Sequence, residues 1–185
     1  MKISELIKPA AALITVTAIA AALLGYVHAI TLKPIAAQQQ KLETEAISAI
    51  FKTSADTGKE IAVPKNSPIT RVLEVYSGGS PLGYAIFTSA MGYSGPVSIV
   101  AGIDMDGVIK GVRILDHTET PGLGANAENP EFTDQYIGKS GMLKVTKSEP
   151  GNNDIQAITS ATITSDAVTA GVNGALSFYW QKLSK

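Results

Sequence analysis

Residues 96–115 read PVSIVAGIDMDGVIKGVRIL, and this stretch decides the fold. Residues 96–103 and 108–115 are short runs rich in β-branched side chains, and they flank Asp104-Met105-Asp106-Gly107. An Asp-Gly pair between two such runs is a hairpin signal, because the turn needs a residue that tolerates positive φ. Just upstream, residues 69–76 and 83–88 have the same texture and are separated by Ser77-Gly78-Gly79-Ser80-Pro81, a second hairpin signal. Before them, residues 35–51 are rich in Ala, Gln, Glu and Lys and predict a helix. Leu42, Ala46, Ala49 and Ile50 mark its apolar stripe. Downstream, residues 116–128 show little regular patterning. Asn129-Pro130 predicts a short helix through Tyr136, stopped by Gly138, and residues 143–146 predict one more strand. The last element is a helix with Ser165 as its N-cap and Asp166 in its first turn. Val168, Val172, Ala175, Leu176, Tyr179 and Leu183 recur at helical spacing along it, and Lys182 and Lys185 suit its C-terminal end. The expected class is α+β, an antiparallel sheet with flanking helices.

The N-terminus adds a different element. Residues 9–32 contain no Asp, Glu, Lys or Arg. As a helix this run would span about 36 Å, enough for the roughly 30 Å hydrocarbon core of a bilayer. Lys8 and Lys33 bracket it. Val27-His28-Ala29 resembles a signal-peptide cleavage site, but the apolar run is longer than a usual signal core. The expectation is a retained single-pass anchor over residues 1–33, in contact with membrane lipid, and a folded domain over residues 34–185. Lys2 and Lys8 on one side balance Lys33 and Lys41 on the other, so charge bias does not set the orientation. A domain without cysteine suits an extracytoplasmic address, and that side is the expectation.

Composition closes several routes. The net charge is −1, so no broad basic face invites nucleic acid. Cysteine is absent and there are two histidines, His28 and His117. Thiolate-held iron–sulfur clusters, cysteine zinc sites, disulfides and c-type haem are therefore excluded. No Gly-x-Ser-x-Gly motif and no glycine-rich phosphate loop after a strand is present. The apolar run offers no carboxylate for an ion path. Electron transfer by this chain would require an organic cofactor.

Five hydroxyl residues crowd the segment before the last helix: Thr159, Ser160, Thr162, Thr164 and Ser165. A helix N-terminus presents unpaired N–H groups and favours phosphate. It is equally well served by Ser and Thr as simple caps, and the residues alone leave both readings open. Residues 154–162 resemble the flavinylation signal of the FMN-binding domain family, an Asp followed by Ser/Thr-Gly-Ala-Thr. Thr159-Ser160-Ala161-Thr162 matches its end, with Ser160 where Gly is usual. The resemblance implies FMN joined by a phosphoester to Thr162, with Thr159, Ser160 and Ala161 around it; Thr164 is the rival acceptor. His117-Thr118-Glu119-Thr120-Pro121-Gly122-Leu123-Gly124 is similar to a loop found in that family among the G subunits of Rnf electron transport complexes. Alone, this loop is a Pro-Gly turn with ordinary surface groups. The resemblance implies that Glu119, Thr120, Gly122, Leu123 and Gly124 line the flavin. Gly92-Tyr93-Ser94-Gly95-Pro96 also looks like the family's central sheet region. The related C subunits of Na⁺-translocating NADH:quinone oxidoreductases have a similar layout but are usually longer. The implied role is an electron carrier in a membrane complex passing electrons between ferredoxin and NAD⁺. The implied partners are the other subunits and a flavin transferase that attaches the cofactor, and the chain is not expected to be catalytic alone. Two other roles fit the residues: a membrane-anchored binding or assembly module without redox activity, and an FMN-domain carrier of another electron-transfer system.

Overall fold

A computed structural model describes residues 3–64 and 67–184. Lys2, Lys185 and the side chain of Lys8, named above for their charge, lie outside the described residues. Helix α1 spans Ile3–Phe51, and the chain divides into two compact units between Leu42 and Glu43.

The first unit is the apolar part of α1. Leu13, Ile19, Leu24 and Ile30 are 55–72 % exposed, and its most apolar window has a mean hydropathy of 2.1 with nothing buried. A helix apolar on every side needs an apolar surround. Among the described residues, this is the one helix long and apolar enough to cross a membrane. Its hydroxyls are satisfied within the helix: Thr15, Thr17 and Thr31 donate to the carbonyls of Ala11, Leu13 and Val27, each at 2.9 Å. That suits a medium without water, where an unpaired polar group is costly.

The second unit is built on a five-stranded antiparallel meander, in the order β1 (Asp56–Ile61), β2 (Ile69–Ser77), β3 (Ser80–Met91), β4 (Pro96–Asp104) and β5 (Ile109–Asp116). The β2–β3 and β4–β5 hairpins fall where the two turn signals lie. Gly78, Gly79 and Gly107 adopt the positive φ those turns require. β1 has a polar, mostly exposed sequence and carries no apolar alternation that would announce it.

Both faces of the sheet are covered, so β4 is buried at nearly every position. Val97, Ile99, Ala101 and Ile103 share a core with Val168, Val172, Ala175 and Leu176 of helix α3 (Thr162–Phe178), which continues as a π-turn over Tyr179–Leu183. α3 lies close to the sheet because Gly171 has no side chain; a Cβ there would sit 2.6 Å from Ile99 Cδ1. On the other face, Ile47 and Ile50 pack with Leu73, Val75, Phe87 and Val100. Gly102 and Gly111 pair across β4 and β5 and leave the hollow that Ile50 fills. The inward face of this part of α1 therefore keeps Ala46 and Ile50 of the expected stripe and adds Ile47. Ile47 and Ile50 are 1 % and 2 % exposed, whereas Ala49 is exposed, as is Leu42 in the first unit. Both stripes satisfy helical spacing, and only the sheet surface chooses between them. Arg71 fixes the segment, pairing with Glu43 at 2.5 Å and lying 4.6 Å above the Phe87 ring.

After β5 the chain forms a loop, a 3₁₀ turn (Gly124–Glu128) and the short helix α2 (Pro130–Thr133) with a further 3₁₀ turn to Tyr136. β6 (Lys144–Thr146) then pairs in parallel with β7 (Asp154–Gln156), a three-residue strand inside the segment read above for its chemistry. The observed class is α+β.

Candidate functional site

Helix α3 begins at Thr162 with Ala161 as its N-cap, four residues before the expected N-cap Ser165. Ser165 has another task. Its hydroxyl donates to the Ala161 carbonyl at 3.0 Å and accepts the Ile158 amide at 3.0 Å, binding the approach turn to the first helical turn. Ala161 has no polar side chain, and no side-chain cap bonds the helix N-terminus. The first helical bond is from the Ser165 amide to the Ala161 carbonyl. The amides of Thr162, Ile163 and Thr164 thus open the helix without intrahelical partners, the arrangement that attracts an anion.

The turn before the helix is held in an unusual backbone state. Ser160 has φ 63°, in the left-handed region where glycine is at ease and other residues cost about 1–2 kcal/mol. The position where the flavinylation signal has Gly is thus one where the backbone demands it. Ser160 meets the demand at some strain.

A buried carboxylate organises the opposite side. Glu119 is 6 % exposed. Its Oε1 accepts the Ser94 amide at 2.9 Å and its Oε2 accepts the Thr164 hydroxyl at 2.5 Å. Burial pushes its pKa up, but the Thr164 hydroxyl, the Ser94 and Tyr93 amides and nearby His117 outweigh burial and hold it below the ordinary value. Glycines make room for it: a Cβ on Gly92 would lie 2.6 Å from Oε1, and one on Gly124 would collide with Oε2. His117 Nδ1 accepts the Glu119 amide at 3.1 Å, while Nε2 lies 3.1 Å from Glu128 Oε1. The imidazole thereby ties both ends of the loop together. Between them Thr120-Pro121-Gly122-Leu123 forms a tight turn, closed by the Leu123 amide on the Thr120 carbonyl at 3.1 Å, with Gly122 at φ 78°.

Two clefts meet at Leu123 and Ser160. The first, of about 450 Å³, is lined by Glu119, Thr120, Leu123, Gly124, Ser160, Ala161 and Thr162, together with Tyr93, Ile163 and Thr164. The second, of about 600 Å³, is lined by Gly122 and Thr159 and by the amides Asn126, Asn129, Gln135 and Gln156. Seven of the nine expected site residues thus converge on the first cleft, while Thr159 and Gly122 face the second. Sequence reasoning missed Tyr93, Ile163 and the partnership of Thr164 with Glu119. Tyr93 stood within the quoted Gly92–Pro96 stretch, where an aromatic among glycines was the available signal. Thr164, the rival acceptor, is 1 % exposed and bonded to Glu119, whereas Thr162 is half-buried at the cleft. The site fits a phosphate-bearing ligand: it has an open anion-attracting helix start and an adjoining cavity within the usual volume range for ligands.

Residues 92–177 match the FMN-binding domain family. The G subunit of the Na⁺-translocating ferredoxin:NAD⁺ oxidoreductase complex of Acetobacterium woodii is 37 % identical, covering 94 % of this chain and 90 % of the relative. The G subunit of the ion-translocating oxidoreductase complex of Methanosarcina acetivorans is 32 % identical over 94 % of each chain. The crystal structure of the C subunit of Na⁺-translocating NADH-quinone reductase from Parabacteroides distasonis aligns with a TM-score of 0.49 at 28 % identity, over 58 % of this chain and 61 % of that one.

Proposed function

This chain belongs to the family of G subunits of ion-translocating oxidoreductase complexes, and we propose that it carries electrons on FMN joined by a phosphoester to Thr162, within a membrane-bound ferredoxin:NAD⁺ oxidoreductase of the Rnf type. It is a membrane protein, and it works with the other subunits of such a complex. A separate flavin transferase attaches the FMN. The folded domain lies on the extracytoplasmic side.

The observation that carries the attachment is the opening of α3. Thr162 is its first residue, beside a cavity, and no side chain caps the helix. A phosphate on the Thr162 oxygen would be held by the first-turn amides and the helix dipole, which favour negative charge. Thr164, two residues on, is buried and donates its hydroxyl proton to Glu119. Bound FMN supplies a centre that exchanges one or two electrons and so links two-electron donors to one-electron carriers. The protein's own contribution is placement. Glu119 locks the β3–β4 turn to α3, the glycines at 92 and 124 admit the carboxylate, and the Pro121-Gly122 turn presents Leu123 to the cavity.

Protein produced together with a flavin transferase tests this. The peptide containing Thr162 should gain the mass of an FMN phosphoester, and the acid-denatured chain should remain yellow. Thr162→Ala should abolish both signals while the domain stays folded. An unmodified Thr162 peptide, or label on Thr164, would refute the assignment.

A further inference from the structure

The cavity beside Thr162 has an apolar rim that the fold leaves uncovered. Tyr93, Leu123 and Ile163 all line it and are 73 %, 42 % and 54 % exposed. They come from three separate segments: the β3–β4 turn, the Pro121-Gly122 turn and the first turn of α3. Single exposed apolar residues are ordinary, but three that converge on one cavity form a surface suited to a flat ligand.

Tyr93 is exposed but held. The Gly92 amide donates to the Gly95 carbonyl at 2.8 Å and closes its turn. The next amide but one, that of Ser94, donates to Glu119 at 2.9 Å, and the same carboxylate accepts Thr164 of α3. One buried side chain therefore ties the backbone carrying Tyr93 to the helix that begins with Thr162.

We propose that Tyr93 is the stacking residue of this site. Its phenol ring packs against the isoalloxazine ring of an FMN tethered at Thr162, and Leu123 and Ile163 provide the remaining apolar contact. This rests on the assignment of Thr162 as the attachment point. The cleft shared at Ser160 is the competing seat. Its apolar members Phe132 and Ile158 are buried or half-buried, and its open wall is mostly polar: Glu131 and four amide side chains, of which Gln135 accepts the Gln156 backbone amide at 2.7 Å and Asn129 donates to Asn126 at 3.4 Å. A largely apolar ring gains more by covering an exposed tyrosine and two exposed aliphatic side chains than by entering a cleft whose apolar side chains are mostly buried already and whose remaining wall is a carboxylate and amides.

Stacking has a spectroscopic signature that positioning alone does not produce. A phenol in contact with an excited flavin donates an electron to it and recovers that electron in the dark, so emission is quenched and both groups return unchanged. The experiment uses the full flavinylated chain in detergent, with attachment at Thr162 first established by peptide mass. Wild-type emission should be dominated by a short-lived component. Tyr93→Leu should remove that component and raise steady-state emission several-fold. Tyr93→Phe should keep the shape of the visible absorption bands while losing the quenching, because the phenyl ring stacks without being oxidised. Gln135→Ala, in the competing cleft, should change neither. If Thr162 carries flavin and Tyr93→Leu leaves the lifetimes unchanged, or Gln135→Ala alters them instead, the stacking role is refuted and the attachment stands. If Thr162 carries no flavin, both are refuted. Because Tyr93 is mostly exposed, its replacement should leave the circular dichroism unchanged.

Discussion

At the scale of the residue, Glu119 has the most to do. Its pKa is depressed although burial pushes the other way, so its hydrogen bonds and the His117 neighbour outweigh burial. A carboxylate whose folded value lies below its ordinary value, 4.5, contributes stability that is present above the unfolded value. That contribution is lost as pH falls through the depressed value. Wild-type protein should therefore lose stability on acidification below about pH 4.5, and Glu119→Gln should flatten this part of the profile. At neutral pH the same variant should cost about 1–3 kcal/mol, because an amide nitrogen cannot accept from either Ser94 or Thr164 and one of the two donors is left unpaired. Urea midpoints measured across pH would show both effects. Glu119 was legible in the sequence as a site residue only through its resemblance to a known loop. Its bond to Thr164, which is 45 positions away, was not, because no local spacing encodes a contact made by packing a loop on a helix. Ser160 is the opposite case: the substitution for Gly was visible, and the backbone state that gives it meaning is local to the turn.

At the scale of the element, α3 was legible on its buried side and not at its start. Val168, Val172, Ala175 and Leu176 are 0–2 % exposed, as their spacing required. The N-cap moved from Ser165 to Ala161 because a serine hydroxyl bonds backward into a turn as readily as it caps a helix. β1 escaped detection because an exposed edge strand needs no apolar alternation, and its Lys59 and Glu60 discourage another strand from adding there. β7 is held by parallel pairing with β6, which no three-residue sequence announces. The contact between α3 and β3 contains one fault. The Thr88 hydroxyl, 2 % exposed, has no hydrogen-bond partner among the described residues and faces the Gly171 position. Thr88→Val keeps the shape and removes the orphaned oxygen, so it should stabilise the domain by about 1 kcal/mol in chemical denaturation. A loss of stability would mean that the hydroxyl has a partner in solution.

At the scale of the whole molecule, the sequence reads most clearly where a single force acts. An uncharged run long enough for a bilayer became one uninterrupted apolar helix, and two turn signals became two hairpins of a meander. The meeting of loop, turn and helix at the cleft depends on many weak forces at once, and only motif resemblance reached it. The orientation across the membrane is open to a direct test because the chain has no cysteine of its own. Ser80→Cys, at the exposed β2–β3 turn, should react with a membrane-impermeant maleimide on intact cells if the domain faces outward; reaction only after lysis would reverse the assignment. The order of the contributing segments has a further consequence. A ribosome releases the Tyr93 turn first, then the Glu119 loop, and α3 last of the three. The Thr162 hydroxyl, the proposed acceptor, has no cradle until that final helix has settled on the sheet. Under the proposed attachment, a transferase that required this folded cradle would pass over nascent or misassembled chains, and colour would then report completed folding.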